Sequence, residues 1–261
     1  MLAYAAICPH PPILLPPIGK ENLNFITSTT KALRKIEAEL YNIKPETIII
    51  ITPHGKTSVN SFSVSVAPKY HSVLEQFGDF TTKLEFKADL ELIYKIKGVL
   101  ETKIPFNLIS CQELDHGVSV PLYFLTDHLK NISIVPLNYS LLSHQAHLEF
   151  GRLLKEEIVK SPKKIVLIAS GDLSHRLTPD APTGFSPQGK IFDHTLIKLL
   201  KKRDIQAILN LDSTFIEEAG ECGFRSILIL LGVLEKTNYQ FKVLSYEAPF
   251  GVGYLVAKMV F

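Results

Sequence analysis

Three histidines of the 261-residue chain come shortly after three predicted β-strands. His10 follows the apolar run AYAAIC, His54 follows TIIIIT, and His175 follows KIVLIAS. Ligands of open α/β sheets bind outside the carboxyl ends of the strands, so these side chains are expected to converge although they are distant in the chain. A neutral imidazole is a common metal ligand and a general base near neutral pH. The pattern therefore predicts a metal or acid–base site at this edge of the sheet.

A fourth histidine, a glutamate and a cysteine extend this candidate site. His116 opens a predicted helix, where the preceding Asp115 is placed to cap the helix or to orient the ring. Glu221 and Cys222 lie between glycines that allow close backbone approach, just before an apolar helix. Two imidazoles and a carboxylate form the facial triad of non-haem Fe(II) enzymes, whereas a thiolate beside two imidazoles favours Zn(II) or Cu. The third ligand is thus Glu221 or Cys222.

Two hydrolytic readings compete with a metal site. Ser170, Asp172 and His175 carry the side chains of a nucleophilic relay, but they are crowded into six residues and no G-x-S-x-G elbow surrounds the serine. Cys222 activated by His175 is a second candidate nucleophile, and no further sequence feature supports it. The remaining histidines are interpreted as ordinary residues of polar segments or helix surfaces: His71, His128, His144, His147 and His194.

Short β-branched runs alternate with longer stretches of helical period, which is typical of an α/β fold. The pattern predicts a single domain over residues 1–261, with a central mixed, mostly parallel sheet flanked by helices and a C-terminal antiparallel strand pair. Strands are predicted at 3–8, 47–52, 61–67, 104–109, 132–137, 165–169, 239–246 and 254–260, and helices at 22–40, 90–100, 118–129, 147–159, 191–202 and 224–234.

The amino-acid composition argues against several classes of protein. The chain is 46% hydrophobic and 21% charged, with a formal net charge of +2, which argues against a nucleic-acid partner. Its three cysteines are an odd number far apart, as expected of reduced thiols. No apolar run approaches the length of a spanning helix, and no cationic segment precedes the first apolar stretch. We expect a cytoplasmic protein without a membrane partner.

Six motifs in order along the chain resemble those of the class III extradiol ring-cleavage dioxygenase superfamily, whose members are LigB-like. The motifs are ICPHPP at 7–12, TPHG at 52–55, LDHG at 114–117, ASGDLSH at 169–175, ECGFRS at 221–226 and YEAPFGVGY at 246–254. More narrowly, they are similar to the branch associated with the AmmeMemoRadiSam system, which includes the Memo proteins. The resemblance covers essentially the whole chain.

This resemblance implies a mononuclear metal site at the strand ends. The ligands it implies are His10, His54 and Glu221, with Cys222 in the place of the cysteine that Memo proteins use. It implies His175 as the acid/base residue and His116 as a residue lining the oxygen or substrate pocket.

The resemblance also implies cofactors and partners. The metal would be Fe(II), with Zn(II) as the alternative, and the substrates would be a small aromatic diol-like compound and O2. The Memo-like alternative is a metal-binding protein that works with AMMECR-type and radical SAM partners without ring cleavage.

Overall fold

All eleven strands of the chain belong to one mixed sheet. The structure is a computed structural model that describes residues 1–261. The strand order is β10-β11-β1-β9-β2-β8-β5-β4-β7, and β3 joins β8 to β6 beside this path. The strands are β1 Leu2–Cys8, β2 Thr47–Thr52, β3 Phe62–Val66, β4 Lys69–Ser72, β5 Glu85–Ala88, β6 Phe106–Ser110, β7 Glu113–Leu114, β8 Ser133–Asn138, β9 Ile165–Ser170, β10 Gln240–Glu247 and β11 Tyr254–Val260.

The centre of the sheet is parallel and its C-terminal margin is antiparallel. Strands β1, β9, β2 and β8 run in the same direction as neighbours, so their carboxyl ends meet at one edge. Strands β10 and β11 pair antiparallel, and β11 continues antiparallel onto β1. The predicted α/β class, the mostly parallel mixed sheet and the C-terminal strand pair are therefore confirmed.

Helices cover both faces of the sheet. Alternate residues of β2 enter opposite cores, Ile49 and Ile51 on one side and Ile48 and Ile50 on the other, as the two-residue period of a strand requires. The helices are α1 Pro16–Gly19, α2 Thr27–Ile43, α3 Leu90–Leu100, α4 His116–Leu125, α5 His144–Lys160, α6 Pro187–Lys202, α7 Ile205–Leu209, α8 Ser213–Ala219 and α9 Phe224–Leu234. Helices α2 and α4 pack on one face, and α3 and α5–α9 supply the larger core on the other.

Helices α5 and α9 approach each other at backbone distance. A Cβ built on Gly151 would lie 2.1 Å from the carbonyl oxygen of Ile229, and one built on Gly232 would lie 2.2 Å from that of Leu148. Only glycine leaves room for this contact, because any side chain would overlap the facing backbone. The contact matters for the site, since the turn before α9 carries Glu221 and Cys222.

Several elements differ from the sequence prediction. The predicted helix at 22–40 is a 3-10 segment, Lys20–Ile26, followed by α2, and the helix predicted at 118–129 begins at His116 and ends at Leu125. Strands β4, β5 and β7 and helices α7 and α8 were not predicted, since each is too short for its hydrophobic period to show. None of the helices combines the length and apolar character needed to cross a membrane.

Candidate metal centre

Three potential ligand atoms meet at the carboxyl edge of the parallel strands. The Nε2 atoms of His10 and His54 are 3.0 Å apart, and the Sγ of Cys222 lies 3.4 Å from the Nε2 of His10. The three ligand atoms all lie within 4.8 Å of one another. The structure therefore brings together His10, His54 and Cys222.

The sheet explains why two residues so distant in the chain meet. His10 comes two residues after β1 and His54 two residues after β2, and β9 lies between these parallel strands. A proline precedes each histidine and restricts the backbone of the turn that carries it. His10 is buried, whereas His54 lies at the exposed mouth of the site.

A chain of hydrogen bonds sets the tautomer of His10. The Ser170 hydroxyl donates to the carbonyl oxygen of Gly117 across 2.5 Å, so its oxygen accepts the Nδ1–H of His10 across 2.8 Å. The proton of neutral His10 therefore resides on Nδ1, and the lone pair of Nε2 points at His54 and Cys222. Orientation of a ligating imidazole through its second nitrogen is characteristic of metal sites.

The distances between the three atoms suit one metal ion. Metal–nitrogen bonds of about 2.0–2.1 Å and metal–sulfur bonds of about 2.3 Å place neighbouring ligand atoms about 3–3.5 Å apart. Two of the three separations, 3.0 and 3.4 Å, match this spacing, and the third pair, His54 and Cys222, has its ligand atoms within 4.8 Å of each other. Two imidazole nitrogens facing each other at this distance also require a proton or a cation between them, because lone pairs repel. The donor set thus fits a mononuclear metal with two nitrogen ligands and one sulfur ligand.

Lowered pKa values keep the clustered imidazoles neutral, although only His10 is fully buried. Desolvation, reinforced by the neighbouring histidines, lowers the pKa of His10 well below its ordinary value. Desolvation of the crowded rings likewise lowers the pKa of His54 and that of His116 to about 4. His116 stacks on His54 with ring centroids 4.2 Å apart, so the structure places this sequence-predicted residue directly beside the candidate ligands. A neutral ring keeps the lone pair that metal ligation requires.

Glu221 and Cys222 diverge at the turn before α9. The Oε2 of Glu221 accepts the backbone N–H of Phe224 across 2.5 Å, which caps the first turn of α9, and Glu221 is not among the converging ligand groups. The Sγ of Cys222 instead accepts the backbone N–H of Asp172 across 3.3 Å. Of the two alternatives, the structure brings Cys222, and not Glu221, to the histidines.

Two glycines make this turn possible. A Cβ on Gly171 would lie 2.1 Å from the Cα of Gly223, so the turn after β9 and the turn before α9 touch through bare backbone. The N–H of Gly223 donates to the carbonyl oxygen of Asp172 across 2.9 Å and joins the two turns. This close approach directs the Cys222 side chain toward His10.

His175 stands beside the three candidate ligands, and with Asp172 and Cys222 it forms a second group of potential ligand atoms within 4.8 Å of one another. Its Nδ1–H donates to the carbonyl oxygen of Gly220 across 2.5 Å, which leaves Nε2 unprotonated in the neutral ring. That Nε2 lies 4.0 Å from the Sγ of Cys222 and 3.9 Å from the Oδ2 of Asp172. Burial lowers the pKa of His175, so the ring is an acceptor of protons at neutral pH. The structure thus places an unprotonated ring nitrogen of His175 beside the candidate ligands.

Three further residues support the site, and the sequence motifs did not assign them these roles. Asp172 is buried, accepts the backbone N–H of His10 across 3.0 Å, and has its pKa raised to about 7 by burial. The Thr52 hydroxyl donates to Asp115 across 2.7 Å and ties α4 to the end of β2, although no side-chain cap from Asp115 to the helix is formed. The hydroxyl oxygen of Ser170 accepts the Nδ1–H of His10.

The supporting contacts also bear on the competing interpretations. The Ser170 hydroxyl contacts His10 and a carbonyl oxygen, so it is not in contact with His175 as a relay would require. Ser170 and Asp172 stood in the sequence motif, but only the pairing of strands reveals which histidine each contacts. His147 was expected on a helix surface and is instead fully buried, with its ring nitrogens 2.9 and 3.0 Å from the carbonyl oxygens of Ser143 and Ser140.

The fold is an α/β fold with a parallel central sheet. Its candidate metal site consists of two histidines at the carboxyl ends of the strands and a cysteine from a distant turn. The chain belongs to the family described as the catalytic LigB subunit of aromatic ring-opening dioxygenase, whose model matches residues 4–257. This membership confirms the resemblance to the LigB-like superfamily.

Individual relatives support the same placement. A Clostridium acetobutylicum protein is 34% identical over 97% of this chain, and the match covers 56% of that protein, so the chain spans little more than half of its length. The 2-aminophenol 1,6-dioxygenase beta subunit of a Pseudomonas species is 24% identical over 97% of this chain and 92% of its own. A MEMO1 family protein of Methanosarcina mazei is 27% identical over 47% of this chain and 43% of its own.

A solved structure shares the fold. The crystal structure of an uncharacterized Escherichia coli protein superposes with a TM-score of 0.69 and covers 99% of this chain and 100% of its own, at 18% identity.

Proposed function

We propose that the chain is a metal-dependent oxygenase of the extradiol type that acts on a small aromatic diol or aminophenol and O2. The observation that carries the proposal is the convergence of His10, His54 and Cys222 on one point, with the unprotonated Nε2 of His175 beside it. Membership of the LigB family and the resemblance to a 2-aminophenol dioxygenase subunit favour this chemistry over hydrolysis.

His10, His54 and Cys222 are the residues that would hold the metal, which we propose to be Fe(II), with Zn(II) as the alternative. When bound, such an ion supplies a Lewis acid that lowers the pKa of a ligated hydroxyl and brings substrate and oxygen together. Glu221 is assigned to the N-terminus of α9 rather than to the metal, because its carboxylate is engaged by Phe224.

His175 is proposed as the general base. Its Nε2 takes the proton of the substrate hydroxyl, while the bond from Nδ1–H to Gly220 stabilises the imidazolium that results. His116 packs on His54, and its proposed role is to contact the oxygen or the substrate. A cavity of about 250 Å³ is lined by residues that include His54 and Asp115, and it offers room for a small ring.

The second candidate is a Memo-like protein that binds metal without cleaving a ring, working with AMMECR-type and radical SAM partners. Cys222 favours it, because a thiolate among the ligands suits Zn(II) or Cu and is itself open to oxidation, whereas a carboxylate suits Fe(II) and O2. The similarity to a MEMO1 family protein points the same way.

Anaerobic reconstitution with Fe(II), followed by oxygen-electrode measurements with catechols and 2-aminophenol, separates the two candidates. Oxygen uptake that depends on both substrate and His175 supports the oxygenase. Stoichiometric metal binding without oxygen uptake, and with no substrate-induced change in the metal's spectrum, supports the second candidate.

A further inference from the structure

Arg225, one turn from Cys222, forms no ion pair with the protein. Its Nε is buried and makes no hydrogen bond, and none of the chain's ion pairs includes Arg225. A buried donor left unpaired costs free energy, and a guanidinium more than most. A bound ligand that accepts hydrogen bonds from the Arg225 guanidinium would remove this cost.

Tyr139 stands next to this guanidinium. The Cζ of Arg225 lies 6.0 Å from the centre of the Tyr139 ring, in the range of a cation–π contact. Tyr139 directly follows β8, the parallel neighbour of β2, and therefore lies at the same sheet edge as His54. Its hydroxyl makes no hydrogen bond to the protein. Burial, with smaller contributions from Glu221 and Cys222, raises the pKa of Tyr139, and the charge of Arg225 opposes this. The pair thus offers unengaged donors beside the metal centre.

No carboxyl group lies within ion-pair distance of Arg225. The carboxyl of Glu221, four residues before Arg225, instead accepts the N–H of Phe224. The other neighbours are imidazoles. His144 packs on Phe224 with ring centroids 5.0 Å apart, and burial, with a smaller contribution from the charge of Arg225, lowers the pKa of both His144 and His147.

We propose that Arg225 and Tyr139 form a subsite for an anionic oxygen group, a carboxylate or a phosphate, carried by the molecule that occupies the metal centre. A guanidinium fork matches two oxygens of such a group in a bidentate pair, and the tyrosine hydroxyl adds a third donor. The inference rests on the proposed function for the position of the ligand's ring, but the anion contact itself needs no metal chemistry. Arg225 is here a specificity-determining residue.

Calorimetry on Zn(II)-loaded protein tests the subsite without turnover. The probes are 3,4-dihydroxybenzoate and 4-methylcatechol, which differ in the charge of one substituent. We expect wild type to bind the carboxylate compound about tenfold or more tightly than its neutral counterpart, as charge-assisted hydrogen bonds do. Arg225→Gln should remove this preference without weakening 4-methylcatechol, and Arg225→Lys should restore part of it.

The matched control is Arg203→Gln. Arg203 also lies over a tyrosine ring, 5.3 Å from the centre of Tyr239, but its guanidinium donates to the Tyr239 carbonyl oxygen across 2.7 Å. This variant should leave both affinities unchanged. Equal binding of the two probes to wild type, or an equal loss of both in Arg225→Gln, overturns the subsite.

Benzoate and inorganic phosphate, titrated into metal-free protein, separate this inference from the proposed function. Binding of either ion that Arg225→Gln abolishes supports the subsite even if no diol binds, and in that case the oxygenase proposal fails alone. The ion that binds with the higher affinity shows whether the subsite prefers a carboxylate or a phosphate. If neither ion binds and the dihydroxybenzoate preference is absent, the subsite is refuted while diol binding still supports the oxygenase.

Discussion

The Nδ1–H of His10 donates to the hydroxyl oxygen of Ser170, which ends the neighbouring strand β9, and this hydroxyl in turn donates a hydrogen bond to the carbonyl oxygen of Gly117. The serine therefore acts only as an acceptor toward His10. The consequence is a ligand nitrogen whose lone pair is already directed at the site.

Replacing Ser170 with alanine should weaken metal binding about 10- to 100-fold, the usual loss when the hydrogen-bond partner of a metal ligand is removed. The measurement is an anaerobic Fe(II) or Zn(II) titration. Ser226→Ala is the matched control, because Ser226 is also buried and its hydroxyl makes no hydrogen bond. Equal affinities of the two variants would contradict the tautomer assigned to His10.

The third ligand can be decided by paired substitutions. Cys222→Ser should lose most of the metal affinity, because a hydroxyl replaces the thiolate, whereas Glu221→Gln should keep it, because its side chain faces α9. His10→Ala and His54→Ala should each abolish stoichiometric binding. Metal content after dialysis gives the comparison. Loss of metal in Glu221→Gln alone would restore the carboxylate as the ligand.

His175→Ala should keep its metal and lose turnover by about 10²- to 10⁴-fold, the range typical of a general base. The readouts are metal content and substrate-dependent oxygen uptake of the same sample. His194→Ala serves as a control, because His194 is exposed on α6. A His175 variant that turns over like wild type would remove the residue from the proposed mechanism.

Because α5 and α9 are in backbone contact, adding one methyl group at Gly151 is expected to lower the stability of the fold. Gly151→Ala should destabilise the fold by about 1–3 kcal/mol or more, because the new Cβ meets the backbone of α9. Gly98→Ala in α3 is the control: its Cβ would meet nothing within 4 Å, so it should stabilise by about 0.5–1 kcal/mol through helix propensity. Chemical denaturation compares the three proteins. A Gly151 variant as stable as wild type would mean that the two helices are further apart.

Asp89 is expected to stabilise the folded state by an amount that depends on pH. Burial alone would raise its pKa, but the ammonium of Lys163, the hydroxyl of Thr47 and the N–H of Leu92 bind the carboxylate and lower it overall. Because the folded pKa is below the unfolded one, the stabilisation is present above the ordinary value near 4 and is lost as the pH falls through the folded pKa.

Asp89→Asn should therefore cost about 1–3 kcal/mol at pH 7, and the difference from wild type should shrink below about pH 4. Urea denaturation at several pH values measures it. A difference that is independent of pH would show that packing, and not the charge, is responsible.

The strands and the histidine positions were predictable because they depend on local patterns. The β-branched run TIIIIT has to lie in the middle of a sheet, and parallel strands place their carboxyl ends at one edge, so His10, His54 and His175 could be expected together. Short elements such as β7 and α7 escaped prediction, because a few residues carry no measurable period.

The amino-acid sequence by itself determined the family, the sheet and the two histidine ligand candidates, since each follows from strand patterns and motifs that do not depend on distant contacts. Only the tertiary structure shows that Cys222, and not Glu221, lies beside the histidines. Adjacent side chains point in different directions, and the direction at this turn is set by the contact of Gly171 with Gly223 and by the bond from Phe224 to Glu221. The hydrogen-bond partner of His10 was likewise decided by tertiary packing, because a residue's hydrogen bonds depend on which distant strand or turn comes to lie beside it.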